Sequence, residues 1–281
     1  MIREAIAAMG SGLGPDALAR CKALFDEEQG ALAECIPASA RDIFYGPHER
    51  HRLDLYAPAQ PSGLAPVLVF VHGGGFLKGD KGSPDAWPNA NVGRMAAQGG
   101  FLGVVINYRL APDHPWPAGA EDVAAAVAWL AKNAAQYGGD PARIVLAGTS
   151  AGAVHVAGYL KLAGESAVRS AILLSGLYGY TPLDERDTLY YGDPARYPQR
   201  MPLETVAATS LPLFVACAEH DPPRFQAEFL ALMKDRLARH HALPRAMILS
   251  GHNHYSMPMH LGTADRRLAD EICAFVRETT I

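Results

Sequence analysis

The chain has 281 residues, 49% of them hydrophobic and 19% charged, so a large core is available and intrinsic disorder is excluded. Its formal net charge is −4 and no run of five basic residues occurs, which leaves a nucleic-acid or anionic-membrane partner without an electrostatic footprint. The four cysteines, Cys21, Cys35, Cys217 and Cys273, stand far apart with no C-x-x-C pair, so neither a disulfide scaffold nor a cysteine metal site is suggested.

Residues 15–33 carry Leu18, Cys21, Leu24, Phe25 and Leu32 at helical spacing, with Pro15 suited to a first turn. The glycines of Gly10-Ser-Gly-Leu-Gly14 lack the spacing and the preceding strand of a dinucleotide motif and read as a frayed terminus. Glu4 falls where a signal peptide needs its apolar stretch, and the longest apolar runs, 66–71 and 123–131, are far shorter than the ~18 residues of a membrane span. The expectation is a cytoplasmic protein with no membrane partner.

Residues 42–46 and 51–57 alternate with period two and predict a hairpin. Short apolar runs then follow at 67–71, 101–106, 143–148, 171–176, 213–217 and 246–251. Helix-period segments at 118–135, 151–163, 223–241 and 262–278 lie between and after them. Strands alternating with helices predict an α/β fold with a mostly parallel sheet covered on both faces. Two stretches stand outside the alternation. The first 40 residues precede the first strand, and 177–210 is an insertion rich in tyrosine and proline, the composition of a lid. Together these predict one domain over 1–281, with 1–40 as a cap segment and 177–210 as a lid.

Gly148-Thr149-Ser150-Ala151-Gly152 is a G-x-S-x-G between a predicted strand and a predicted helix. A sharp turn there lifts the serine hydroxyl clear of the sheet, and the glycines let strand and helix approach. The Ala151 N–H then stands at a helix N-terminus, aimed at developing negative charge. His72-Gly73-Gly74-Gly75-Phe76 follows a strand, and its glycines free backbone N–H groups for the same purpose. A phosphate loop is excluded, because Gly79 is followed by Asp80 rather than Lys.

A nucleophilic serine needs a base, and the base needs an orienting acid, both outside the carboxyl ends of strands. Ala218-Glu219-His220-Asp221 supplies the acid, with Asp221 expected and Glu219 in reserve. Gly251-His252-Asn253-His254 supplies the base, with His254 expected and His252 in reserve. A His252/His254 metal pair lacks a third ligand at suitable spacing, so no metal and no cofactor is expected. His155 reads as a satisfied packing residue.

These segments, with Asn107-Tyr-Arg-Leu-Ala-Pro-Asp-His-Pro-Trp-Pro-Ala118 and Glu121-Asp122-Val123, resemble the hormone-sensitive-lipase-like carboxylesterases of the α/β-hydrolase fold. The likeness runs from about 51 to 278. It implies an esterase with Ser150 as nucleophile, Asp221 as acid and His254 as base. It also implies Gly73, Gly74, Gly75 and Ala151 as oxyanion donors, under an N-terminal helical cap. Thr149 replaces the family's usual aspartate, and His252-Asn-His-Tyr-Ser256 is closer to arylformamidase-like relatives, which makes an amidase the alternative activity. A non-catalytic binding protein on a hydrolase fold is the third reading. The expected partner is a small to medium, short-acyl ester. Phe76, Tyr190, Tyr191, Met201 and Met257 are candidate pocket residues, and a homodimer is compatible with the sequence.

Overall fold

The computed structural model describes residues 2–60 and 63–281. Eight strands form one sheet: β1 Ala40–Phe44, β2 Arg52–Tyr56, β3 Ala65–Val71, β4 Leu102–Ile106, β5 Gly139–Thr149, β6 Ser170–Leu174, β7 Leu213–His220 and β8 Arg245–Asn253. Their order is β1-β2-β4-β3-β5-β6-β7-β8. Only β2 runs against its neighbours; all other adjacent strands are parallel.

Period-two alternation sorts the apolar side chains of each strand into two cores. In β3, Val67, Val69 and Val71 face one side with Leu146, Leu173 and Val215, against the helices Ala118–Asn133, Ala151–Ala163 and Pro223–His240. Leu68 and Phe70 face the other side with Val145, Ile172 and Phe214, against the helices Ala90–Gln98 and Arg267–Thr279. Both faces are covered, as a parallel sheet requires.

The register aligns the strand ends that matter. Val71 pairs with Gly148, Gly148 with Leu173, and Leu173 with Val215. The loops that follow β3, β5, β6, β7 and β8 therefore emerge along one edge of the sheet.

The N-terminal segment departs from its sequence reading. Residues 15–33 form two helices, Pro15–Ala23 and Asp26–Cys35, because Asp26, Glu27 and Glu28 start a new helix with acidic groups in its first turn. Gly10 to Gly14 are not a frayed end. Ile2–Met9 is itself a helix, and the glycines turn the chain into the next one, with Gly10 at φ +62°. Ile6, Cys21 and Phe25 from these helices pack with Trp87 and Met259. Gln29 donates to the carbonyls of Met259 and Leu261, and Asn91 donates to those of Pro258 and Leu261. The segment after β8 is thus braced from two sides. Helix Ala90–Gln98 has no counterpart in the sequence reading; it is short and alanine-rich, and packing on β4 makes it helical.

Candidate active site

Ser150 sits between β5 and helix Ala151–Ala163 with φ +53° and ψ −123°, a conformation that side chains rarely adopt. The surroundings impose it. A Cβ on Gly148 would lie 2.4 Å from the Gly152 carbonyl oxygen, and one on Gly152 would lie 2.0 Å from that of Val71. Strand, turn and helix therefore meet at backbone contact distance, which only glycine at both positions allows. Ala151 opens the helix, so its N–H belongs to the first turn, whose donors have no intrahelical partner.

The glycine loop after β3 is equally constrained. Gly74 has φ +127°, and a Cβ there would come within 1.9 Å of the Lys78 carbonyl oxygen. Gly75 has φ +61°, and Gly73 lies against Ser150, where an added Cβ would stand 3.2 Å from the serine Cβ. His72 braces the loop from below. Its Nδ1 lies 2.7 Å from the Gly73 carbonyl oxygen, and its ring stacks on Tyr108 at 4.4 Å. Tyr108 in turn donates its hydroxyl hydrogen to the His72 carbonyl. Burial pushes the His72 imidazole down to about 4, so at neutral pH it carries no charge beside the loop. Arg109 is clamped by Asp122, which also accepts the Arg109 N–H at 2.7 Å. Tyr108 thus supports the base of the glycine loop, and the Asp122 pair anchors the adjoining Arg109.

Asp221 and His254 are brought together: His254 Nδ1 lies 2.8 Å from Asp221 Oδ1, and both residues are buried. The other carboxylate oxygen accepts the Ser175 hydroxyl at 2.5 Å and the Ala218 N–H at 2.8 Å. Burial pulls this carboxyl up. The hydrogen bond and charge of His254, with the Ser175 and Ala218 donors, outweigh it and hold the group below the ordinary carboxylate range. Asp221 does not cap the following helix, which begins after Pro222 with no side-chain cap.

The reserve candidates go elsewhere. Glu219 is exposed and accepts from the Ser250 hydroxyl and the Gly251 N–H. His252 lies against Ser256 and Asp265. The sequence reading missed Ser175, which follows β6 with φ +45° and whose run 171–176 reads only as a strand. Its signal is positional alone, the first residue past the strand between nucleophile and acid.

Phe76, Tyr190, Tyr191 and Met201 gather with Ala151 and Val154 in one apolar cluster, where Phe76 and Tyr190 stack at 4.3 Å. Met257 does not join them. It is fully buried in the sheet core, and its sulfur lies 3.3 Å from the Ser175 hydroxyl, because the chain turns back under Asp221 after His254. His155 is only half satisfied: Nδ1 faces the Tyr190 hydroxyl at 3.3 Å, while Nε2 is buried without a partner. The insertion 177–210 folds into short helical turns rather than open loop. Buried Glu228 accepts the N–H groups of Tyr178, Gly179 and Thr181 and the Thr181 hydroxyl, and Arg224 pairs with Asp184 and Asp187.

Comparison with solved structures places this architecture. The esterase of the archaeon Pyrobaculum calidifontis superposes with a TM-score of 0.71, covering 93% of each chain at 24% identity. This chain has the α/β-hydrolase fold. The BD-FAE family model matches this chain over residues 53–171, the stretch from β2 to β6 that holds the glycine loop and Ser150. Among curated proteins, esterase LipQ of Mycobacterium tuberculosis is 32% identical over 229 residues, 70% of this chain and 53% of its own length. Carboxylesterase NlhH of the same species is 45% identical over 98 residues, 35% of this chain and 30% of its own. The chain thus spans about a third to a half of the length of these curated relatives. Among its described residues, no helix is long and apolar enough to cross a membrane.

Proposed function

We propose that the protein is a carboxylic ester hydrolase in which Ser150 is the nucleophile, His254 the base and Asp221 the orienting acid. The observation that carries this reading is the buried Asp221–His254 pair at 2.8 Å, at the strand ends that also present Ser150. Ser150 follows β5 and Asp221 follows β7, two strands away, so their backbones are separated by about 10 Å across the sheet. An imidazole held from the Asp221 side is the group that spans such a gap.

In the acylation step the Ser150 oxygen attacks the ester carbonyl while its proton passes to His254 Nε2. The oxyanion is received by N–H groups of Gly73, Gly74, Gly75 and Ala151. The carbon–oxygen bond then breaks, and the alcohol leaves with the proton from His254. Water repeats the sequence on the acyl-enzyme and releases the acid. Asp221, held ionised by its donors, stabilises the imidazolium formed in both steps. The names of the relatives, an esterase and a carboxylesterase, support ester over amide as the substrate class. The aromatic cluster of Phe76, Tyr190 and Tyr191 beside Ala151 suits a short acyl or small alcohol group rather than a lipid chain.

Ser150→Ala is expected to lower kcat on p-nitrophenyl acetate by on the order of 10⁶ and to abolish labelling by a fluorophosphonate. Retention of more than a few per cent of activity overturns the assignment of the nucleophile. A higher kcat/KM for an aryl formamide than for the matching aryl acetate overturns the ester preference. A rate that rises towards long acyl chains overturns the short-acyl reading.

A further inference from the structure

Beside the segment that carries His254 lies a second cluster of chemistry-bearing groups with no place in ester hydrolysis. His252 and His254 do not form a pair, since His254 faces Asp221. His252 instead meets His260 and Asp265, and one donor atom from each of these three lies within 4.8 Å of the other two. The imidazole centroids of His252 and His260 are 4.1 Å apart.

A single residue orients both rings. The Ser256 carbonyl oxygen lies 2.9 Å from His260 Nδ1, and the Ser256 hydroxyl oxygen lies 3.1 Å from His252 Nδ1. A carbonyl can only accept, so His260 carries its proton on Nδ1 and presents a bare lone pair at Nε2. That nitrogen belongs to a fully buried side chain and has no hydrogen-bond partner. An unpartnered acceptor in the interior costs free energy unless something binds it. The Ser256 hydroxyl oxygen also accepts the Asn253 N–H, and its own proton reaches the Asn253 carbonyl. It lies within reach of His252 Nδ1, while His252 Nε2 meets Asp265 Oδ2 at 3.3 Å; a cation bound there would take the place of the proton between these two atoms. Imidazoles fixed through Nδ1 by an outer hydrogen bond are the arrangement that metal-binding histidines adopt.

The spacing fits a small, borderline-soft cation. Donors at about 2.0–2.1 Å from a tetrahedral centre stand about 3.3–3.5 Å from each other. His252 Nε2 and Asp265 Oδ2 are already 3.3 Å apart. The other donor separations are within 4.8 Å, so they need to close by at most about 1.5 Å. A cleft of about 480 Å³ opens on the cluster, lined by His252 and Asp265 and by Arg3, Glu4, Glu28 and Thr263.

We propose that His252, His260 and Asp265 form a binding site for a divalent transition metal, Zn²⁺ foremost, whose fourth position faces this cleft. Two imidazoles and one carboxylate are a donor set suited to Zn²⁺ and unsuited to Mg²⁺ or Ca²⁺, which take oxygen ligands. The neighbouring charges moderate the affinity. Arg267 binds both oxygens of Asp265 at 2.7 and 2.9 Å, and Arg3 lies 3.6 Å from Oδ2, so the metal shares that carboxylate with two guanidinium groups. Glu28, which accepts the Ala264 N–H at 2.7 Å, and Glu4 set negative charge on the other wall. A bound ion would cross-link the end of β8 to residues 260–265 and so fix the turn on which His254 stands.

The test is Zn²⁺ titration of the chelator-stripped 281-residue protein by calorimetry, with Co²⁺ absorption as a report of geometry. One saturable Zn²⁺ per chain is expected, with visible Co²⁺ bands of tetrahedral intensity and a higher Tm. His260→Ala and Asp265→Asn should each weaken binding by at least about 100-fold, and Ser256→Ala by about 10–100-fold, the usual cost of an outer-shell partner. Asp265 is partly exposed, so its variant remains informative if His260→Ala fails to fold. Absence of saturable binding to the unaltered protein overturns the proposal. So does binding that survives both ligand variants, or binding lost instead on His114→Ala, which disrupts the separate His48/His114 contact.

Discussion

Ser175→Ala removes one donor from a buried carboxylate and leaves the rest of the Asp221–His254 pair in place. A hydrogen bond to a charged group contributes about 1.5–3 kcal/mol, so the variant should be less stable by that amount at pH 7. In a chain of this length, at about 2 °C per kcal/mol, Tm falls by roughly 3–6 °C. The loss depends on pH in a defined sense. Asp221 is held below its unfolded value, so its contribution is full above the ordinary carboxylate range and fades as pH falls through the folded value. Without the hydroxyl that value rises, and the gap between variant and parent narrows in acid. A second substitution separates the hydrogen bond from the backbone. Ser175 has φ +45°, which alanine tolerates poorly and glycine readily. Ser175→Gly should therefore be about 0.5–1 kcal/mol more stable than Ser175→Ala while losing the same bond. Urea unfolding at pH 7 and at successively lower pH gives all three quantities. A difference between parent and Ser175→Ala below about 0.5 kcal/mol at pH 7 refutes the argument. A difference as large below the titration of Asp221 as above it refutes the linkage. Ester hydrolysis adds a second readout, with kcat/KM falling about ten-fold for each ~1.4 kcal/mol of lost order that reaches the transition state.

Three further outcomes follow from the same geometry. Asp221→Asn should lower kcat by about 10⁴, whereas Glu219→Gln should change it by less than a few-fold; comparable losses would show that the acid is misassigned. Gly152→Ala drives a Cβ to 2.0 Å from the Val71 carbonyl oxygen, and the expected result is loss of soluble folded protein, which circular dichroism of the purified variant checks. Glu228→Gln weakens the acceptor of four hydrogen bonds from residues 178–181, so hydrogen exchange there should quicken while the sheet core stays protected; unchanged exchange would mean that other contacts hold the insertion.

The parallel sheet and the turn at Ser150 are readable from residues 66–251 because their causes are local. Period-two runs state which face a side chain takes, and a serine between two glycines at a strand–helix junction states where backbones must touch. Gly74 and Gly75 are readable for the same reason, since positive φ is a property of single residues. The choice between His252 and His254 is not. Period two would put both on one side of a continued strand, but β8 ends at Asn253 and the following turn swings His254 towards Asp221. The break at Leu24–Phe25 and the helix Ala90–Gln98 escape a periodicity reading because short elements are settled by what they pack against.

Sequence alone determined the elements whose geometry is dictated within a few residues: the strands, the sharp turn at Ser150 and the glycine loop. Tertiary structure alone decided what meets what. Ser175 reaches Asp221 from 46 positions away, and Glu228 gathers residues 178–181 from nearly 50. His252, His260 and Asp265 come together at the turn after β8, where Ser256 lies within hydrogen-bond distance of both imidazoles. Such contacts are chosen by chain closure and burial over the whole domain, and no local pattern of residues encodes them.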